Sequence, residues 1–385
     1  MDTLYFDNNA NTFVDPRVQQ RMHELFALNL ANPASQHRSG RTALRYLEQA
    51  KSDLIQWIDA PADGMNSAQL ILTSGGTEAN NLAILGLSAS GTQPALRQVF
   101  VSSIEHPSVL DAAARTEPRP RKLAVDRTGR VILDELEQWL IASPLPVIVS
   151  VMLGNNETGV VQDLRAICDL CHRYGGLVHS DIVQGVGKLK FSMRDCGVDA
   201  VTFTAHKIHG PVGIGALVVR PGLSVAPILF GGGQQLMIRP GTEPVVLADA
   251  FALALKLSVA AFDNGEYHQL AMLRQRFENQ LLADLEKVVI ISAAADRLPH
   301  TSNIAFLGID RQALLIALDL GGIACSTGSA CASGSGRPSH VLQAMALPAN
   351  VVGGSLRFSF SRFTTPEELD MGTEKLVRTV RKLRG

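Results

Sequence analysis

The sequence predicts an α/β protein: a mainly parallel sheet flanked by helices, followed by a smaller α+β C-terminal domain. Three observations carry this. From about residue 70 to 220, short unbroken apolar runs alternate with amphipathic segments, as parallel strands covered on both faces by crossover helices do. Past residue 260 one long helical stretch gives way to short strand-like runs and a last helix. The 385 residues are 46% hydrophobic and only 18% charged, enough apolar material for a large core. We therefore expect a large domain over residues 15–260 and a small one over 261–385.

In chain order, "AQLILTS" reads as a strand and "TEANNLAILGLSA" as the helix after it. "RQVFVSS" is a strand, "LDELEQWLIA" a helix and "PLPVIVSVML" a buried strand. "DLRAICDLCHRYG" is a helix, "GLVHSD" a strand, and "DAVTFTA" and "IGALVVR" two more. In the C-terminal part "EYHQLAMLRQRFENQLLADLE" is a long helix, "HTSNIAFL" and "GSLRFSFS" are strands, and "PEELDMGTEKLVRTVRKLRG" closes the chain as a helix. No internal repeat is visible.

Several classes drop out on composition. A formal net charge of -1 with no basic stripe argues against nucleic acid and anionic membrane surfaces. The opening "MDTLYFDNNANTF" carries two acids and no long apolar run, so neither a signal peptide nor a membrane anchor is expected. Five cysteines (Cys168, Cys171, Cys196, Cys325 and Cys331) are an odd count without a secretion signal, which reads as reduced thiols in a cytoplasmic protein. Cys168 and Cys171 form C-x-x-C, but inside an amphipathic helix and without a second pair.

Ligands of open parallel sheets bind beyond the carboxyl ends of the strands, so the polar residues there matter most. "SGGTEA" puts bare amides and the Thr77 hydroxyl between a strand and a helix, an anion site suited to phosphate or a plain tight turn. Asp181 ends the strand "GLVHSD", with Gln184 one helical turn on. As a strand-end carboxylate it suits a metal ligand, a catalytic base or the partner of a protonated ring nitrogen. Lys207 follows another strand end, between His206 and His209; it is either a surface lysine or a semi-buried amine able to attack a carbonyl. A metal site on His179, Asp181, His206 and His209 meets no fixed ligand spacing.

A phosphate cradle, an acid and a lysine at neighbouring strand ends are what pyridoxal 5'-phosphate asks for together: donors for its phosphate, a carboxylate for its pyridinium and an amine for its aldehyde. His106 and Asn156, on adjacent strand ends, are placed to meet the ring face and its 3'-oxygen.

With these residues in hand, the chain resembles the cysteine desulfurases of the NifS/IscS type, within the class V aminotransferase family of pyridoxal-phosphate enzymes. Ten stretches in the family's order carry the resemblance, among them "YFDNNANTFVDPRV", "TSGGTEANNLAI", "NNETGVVQD", "HSDIVQGVGK", "HKIHGPVGIGAL", "STGSACASG" and "LRFSFSRFTT". It implies a fold-type I architecture in which residues 1–14 pack against the small domain. It implies Lys207 as the lysine that bonds the cofactor and Asp181 as the pyridinium partner, with His106 stacked on the ring and serving proton transfer. Gly76, Thr77, Thr204 and His206 are expected to hold the phosphate, joined by Thr242 from the second copy of a homodimer. Asn156 and Gln184 are expected on the ring oxygen, Arg357 with Asn32 on the carboxylate of L-cysteine, and Cys331 as the thiol that takes the sulfur.

Cys331 lies in "CSTGSACASGSGRPSH", a Gly/Ser-rich run with no period of 2 or 3.6, read as a mobile loop whose thiol can reach substrate and then an acceptor. Cys325, after the apolar "GGIA", is expected at a strand end, partly packed. A selenocysteine lyase or a cysteine/cystine lyase on the same scaffold is the alternative, and the loop cysteine argues against it. Gln235 and Leu236 stand where the family shows an acid followed by a base, and the chain stops at "KLRG" without the longer tail some members use to dock an iron–sulfur scaffold, so the sulfur acceptor stays open.

Overall fold

The computed structural model describes residues 3–63, 66–89, 97–328 and 338–385. Its largest sheet has seven strands in the order Gln69–Thr73, Gly215–Val219, Ala200–Thr204, Leu177–Asp181, Val147–Ser150, Gln98–Ser102, Arg121–Leu123. Gly215–Val219 runs antiparallel to both of its neighbours, and the remaining pairs are parallel. The continuous apolar runs have a direct cause. Alternate residues feed separate clusters on opposite faces: Val218, Val201 and Phe203 enter one with Phe251 and Leu255, while Leu217, Val219 and Ala200 enter another with Ala79 and Leu82.

The expected helices and strands of this region are present, with helices Gly76–Ser88, Leu133–Ala142 and Leu164–Arg173 between the strands. Two long helices were not anticipated, Arg38–Trp57 and Val245–Asp263, which pack against each other. Val245–Asp263 is long and apolar enough by composition to cross a bilayer; here Phe251, Ala254 and Leu255 are buried in the main core.

The C-terminal part holds a three-stranded antiparallel sheet, Val288–Ile290, Thr301–Phe306 and Ser355–Ser359, with helices Glu266–Asp284, Arg311–Leu320 and Pro366–Arg384. Leu4–Tyr5 pairs in parallel with Ile323–Ala324, and Phe6 stacks edge-on against Phe360 in the cluster that contains Phe277, Phe358 and Leu376. On that partition we propose the division at 260/261, with residues 1–14 belonging to the small unit. The seam is not clean, because Val341, Leu342 and Met345 pack into the main core.

Candidate active site

Five parallel-strand ends open onto one cavity of about 680 Å³. It is lined by Gly76 and Thr77 after the first strand, His106 after Gln98–Ser102, and Asn156 after Val147–Ser150. Asp181 and Gln184 line it at Leu177–Asp181, and Thr204, His206 and Lys207 at Ala200–Thr204. Arg357 reaches the same wall from the small sheet. Residues as distant in sequence as Gly76 and Lys207 thus meet because parallel strands put all their carboxyl ends on one side.

Asp181, 6% exposed, has both oxygens fixed: Oδ1 accepts the Val183 amide at 3.0 Å and Oδ2 accepts Asn80 Nδ2 at 2.7 Å. Lys207 ends the short 3-10 turn Ala205–Lys207, where its ammonium donates to the carbonyls of Asn9 (2.5 Å) and Ala10 (2.6 Å). Gln184 Nε2 donates to the same Asn9 carbonyl at 3.1 Å. The "DNNANT" segment therefore straps the lysine, with Thr12 accepting from the His209 amide and donating to the His206 carbonyl. His106 caps helix Pro107–Ala113, its Nδ1 accepting the Ser108 amide at 3.1 Å; burial, helped by Lys207 and His340, lowers its pKa against the pull of Asp181. Burial, then Lys207 and Lys188, bring His206 down to about 4, so its ring is neutral near pH 7.

The cradle turn is packed tightly against the neighbouring strand. A side chain at Gly215 would place its Cβ 2.6 Å from the backbone carbon of Gly75, so the adjacent strand can approach that turn only as glycine. Thr204 lines the cradle, but its hydroxyl donates to the Ile214 carbonyl at 2.7 Å and has to turn to serve an anion. Arg357, 1% exposed, donates through Nη1 to the carbonyls of Asn156 (3.0 Å) and Gly328 (3.3 Å) and through Nη2 to Asp7 Oδ1 (2.5 Å).

Two expected residues do not line this cavity. Asn32 is exposed and outside this wall, because its Oδ1 folds back onto the Ala34 amide at 2.9 Å. Thr242 is exposed and does not line the cavity of its own chain. Cys331 falls outside the described residues. Cys325 stands at the end of Ile323–Ala324, where burial and then Asp7 push its thiol up to about 12. Among the described residues no group of three or more His, Cys, Asp or Glu side chains is arranged to hold a metal ion. His179 is held between Ser150 and Thr202, and His209 faces the Phe13 carbonyl.

The family described as aminotransferase class-V matches residues 4–371. A curated relative named cysteine desulfurase, from Cereibacter sphaeroides, is 37% identical over 388 residues, covering 100% of this chain and 97% of the relative. The chain belongs to the cysteine desulfurases of the class-V aminotransferase family. A second cysteine desulfurase, from Bradyrhizobium diazoefficiens, is 38% identical over 95% of this chain and 92% of its own length. A solved structure described as a NifS-like protein from Rickettsia africae superposes with a TM-score of 0.89 at 31% identity, covering 98% of this chain and 99% of that one.

Sequence reasoning missed the residues that hold a desulfurase site from behind: Asp7 on Arg357, the Asn9 and Ala10 carbonyls on Lys207, and Asn80 on Asp181. Asn80 had a legible signal, lying four residues after Gly76 on the same face of its helix. The departure at Gln235 also has a structural account. Its amide takes both backbone groups of Leu72, accepting from N–H at 2.7 Å and donating to C=O at 2.9 Å, and so covers the outer edge of the large sheet. Leu236, beside it, is exposed.

Proposed function

We propose that the chain is a pyridoxal 5'-phosphate enzyme that converts L-cysteine to L-alanine and passes the sulfur to Cys331 as a persulfide. The observation that carries this reading is the meeting of Lys207, Asp181 and Arg357 on one cavity wall. The residues fit the cofactor: Gln184 Oε1 is buried without a hydrogen-bond partner among the described residues, which suits a bound group bearing a ring hydroxyl. When bound, the cofactor supplies an electron sink for the pair left at the substrate Cα.

Lys207 would bond the cofactor's aldehyde carbon, and its amine is the base placed to remove the substrate Cα proton. Asp181, kept in place by Asn80 and Val183, holds the ring nitrogen protonated. Gly76, Thr77, Thr204 and His206 hold the phosphate, joined by Thr242 of the partner subunit. Asn156 and Gln184 would hold the ring oxygen, and His106 would lie against the ring and move protons. Arg357 receives the substrate carboxylate by a charge-assisted pair, its guanidinium oriented by Asp7. Asn32 acts there only if its loop leaves the Ala34 contact. The enzyme is proposed to work as a homodimer in the cytoplasm, delivering sulfur to an acceptor protein such as an iron–sulfur cluster assembly scaffold.

Mixing the protein with L-cysteine, cofactor and a thiol reductant tests this directly. Alanine and sulfide appear in equal amounts from the wild type. Lys207→Ala makes neither and lacks the long-wavelength absorbance of the bound cofactor. Wild-type turnover by Lys207→Ala would remove the assignment.

A further inference from the structure

Three imidazoles line the cavity, His106, His206 and His340, and the reading above uses only the first two. His106 Nδ1 accepts the Ser108 amide, so in the neutral ring the proton sits on Nε2 and this side chain meets the cavity as a donor. His340 is wired the other way. Its Nε2 lies 2.9 Å from the Glu105 carbonyl oxygen. A carbonyl only accepts, so Nε2 carries the proton and Nδ1 keeps the lone pair. Nδ1 has no hydrogen-bond partner among the described residues, and the ring lines the cavity.

The ring is firmly held. Glu105 is fully buried, with Oε1 accepting the Met152 amide at 2.8 Å. His340 opens helix His340–Ala344, whose cap Ser339 accepts the Leu342 amide at 3.1 Å and donates to Glu157 Oε2 at 2.5 Å. The ionisable groups around it are Glu105 and Glu157 at its anchor, His106 beside it, and Asp111, Asp181, Lys207 and Arg357 around the cavity.

The chemistry of the reaction asks for one base with such a lone pair. Cysteine arrives with a proton on Sγ, and alanine leaves with one more hydrogen on Cβ. As the sulfur passes to the enzyme thiolate, the thiolate electron pair forms the S–S bond and the pair of the broken Cβ–Sγ bond stays with carbon. Carbon is reduced by the two electrons that sulfur gives up, and Cβ then lacks one proton. The S–H proton is the one set free. We propose that His340 is a catalytic residue that takes the proton from Sγ of bound L-cysteine on Nδ1 and returns it to Cβ, one bond away. This rests on the desulfurase reading above.

The test is made on cofactor-loaded protein. In His340→Ala, kcat for alanine formation falls about 100-fold, within the range for a lost acid–base group, while KM and the absorbance of the bound cofactor stay unchanged. Added imidazole restores alanine and sulfide formation to His340→Ala in a saturable way and does nothing for Lys207→Ala. His340→Gln, which keeps a donor for the Glu105 carbonyl but has no base, melts like the wild type and is equally slow; it carries the test if the alanine variant does not fold. Wild-type kcat in either variant, or a slow alanine variant that imidazole does not rescue, overturns the proposal. A wild type that makes no alanine from L-cysteine overturns the underlying reading instead, so the two failures are distinct.

Discussion

Replacing Asp181 by asparagine removes a charge and keeps the shape, so the structure says where the loss falls. The aspartate accepts twice, from the Val183 amide at 3.0 Å and from Asn80 Nδ2 at 2.7 Å. An asparagine there has one acceptor and one donor. With its oxygen on Val183, its NH2 meets the NH2 of Asn80. Asn80 can turn its amide, because its Oδ1 is buried and unpartnered, but Nδ2 then gives up the 2.9 Å bond to Ser108 Oγ. The fold therefore loses about one neutral hydrogen bond, roughly 1 kcal/mol. The cofactor loses a bond to a charged group, about 1.5–3 kcal/mol, which is roughly 10- to 150-fold in affinity. Turnover falls further, because a neutral pyridine is a poor electron sink. Thermal melting of the cofactor-free protein, a cofactor titration and kcat for alanine separate the three effects. A variant with wild-type affinity and rate would show that Asp181 only braces Asn80 and the Val183 turn, and the pyridinium assignment would fail.

Other outcomes follow from the same geometry. Cys331→Ser should bind cofactor and L-cysteine yet carry no persulfide; a sulfur adduct found by mass spectrometry on Cys325 and never on Cys331 would reverse the assignment. Cys325→Ser should keep most of the activity, and at pH 8 the native Cys325 and Cys171 thiols, both pushed up to about 12 mainly by burial, should resist iodoacetamide. Gln235→Ala strands the Leu72 amide at the sheet edge, so melting should drop by a few degrees, a cost of about 1–3 kcal/mol; an unchanged melting temperature would mean that water or a neighbour replaces the amide. Light scattering should give a dimer mass for the active protein, and a monomer with full cofactor affinity would exclude a contribution from Thr242 of the partner subunit.

The strands of the large sheet and the residues at their ends were readable in advance because a doubly covered parallel sheet writes itself as unbroken apolar runs with polar termini. Lys207, Asp181, His106 and Thr77 stand where such runs stop. The helix Val245–Asp263 was not readable that way, since Phe251, Ala254 and Leu255 are buried within a segment that is apolar nearly all round and shows no clear 3.6 period. Asn32 shows the limit of transferring a motif: a short polar side chain next to a proline takes the nearest amide, here Ala34, unless something larger competes for it.

The class of chemistry was legible along the chain, through residue types whose roles depend on strand ends rather than on distant partners. How each group is held depends on contacts made only in the folded chain. Asp7 meets Arg357 across 350 positions, and Gln235 meets Leu72 across 163. His340 takes its tautomer from the Glu105 carbonyl, 235 positions away. A proton's place on an imidazole and a guanidinium's orientation depend on which acceptor lies within about 3 Å, and no local pattern along the chain encodes that distance.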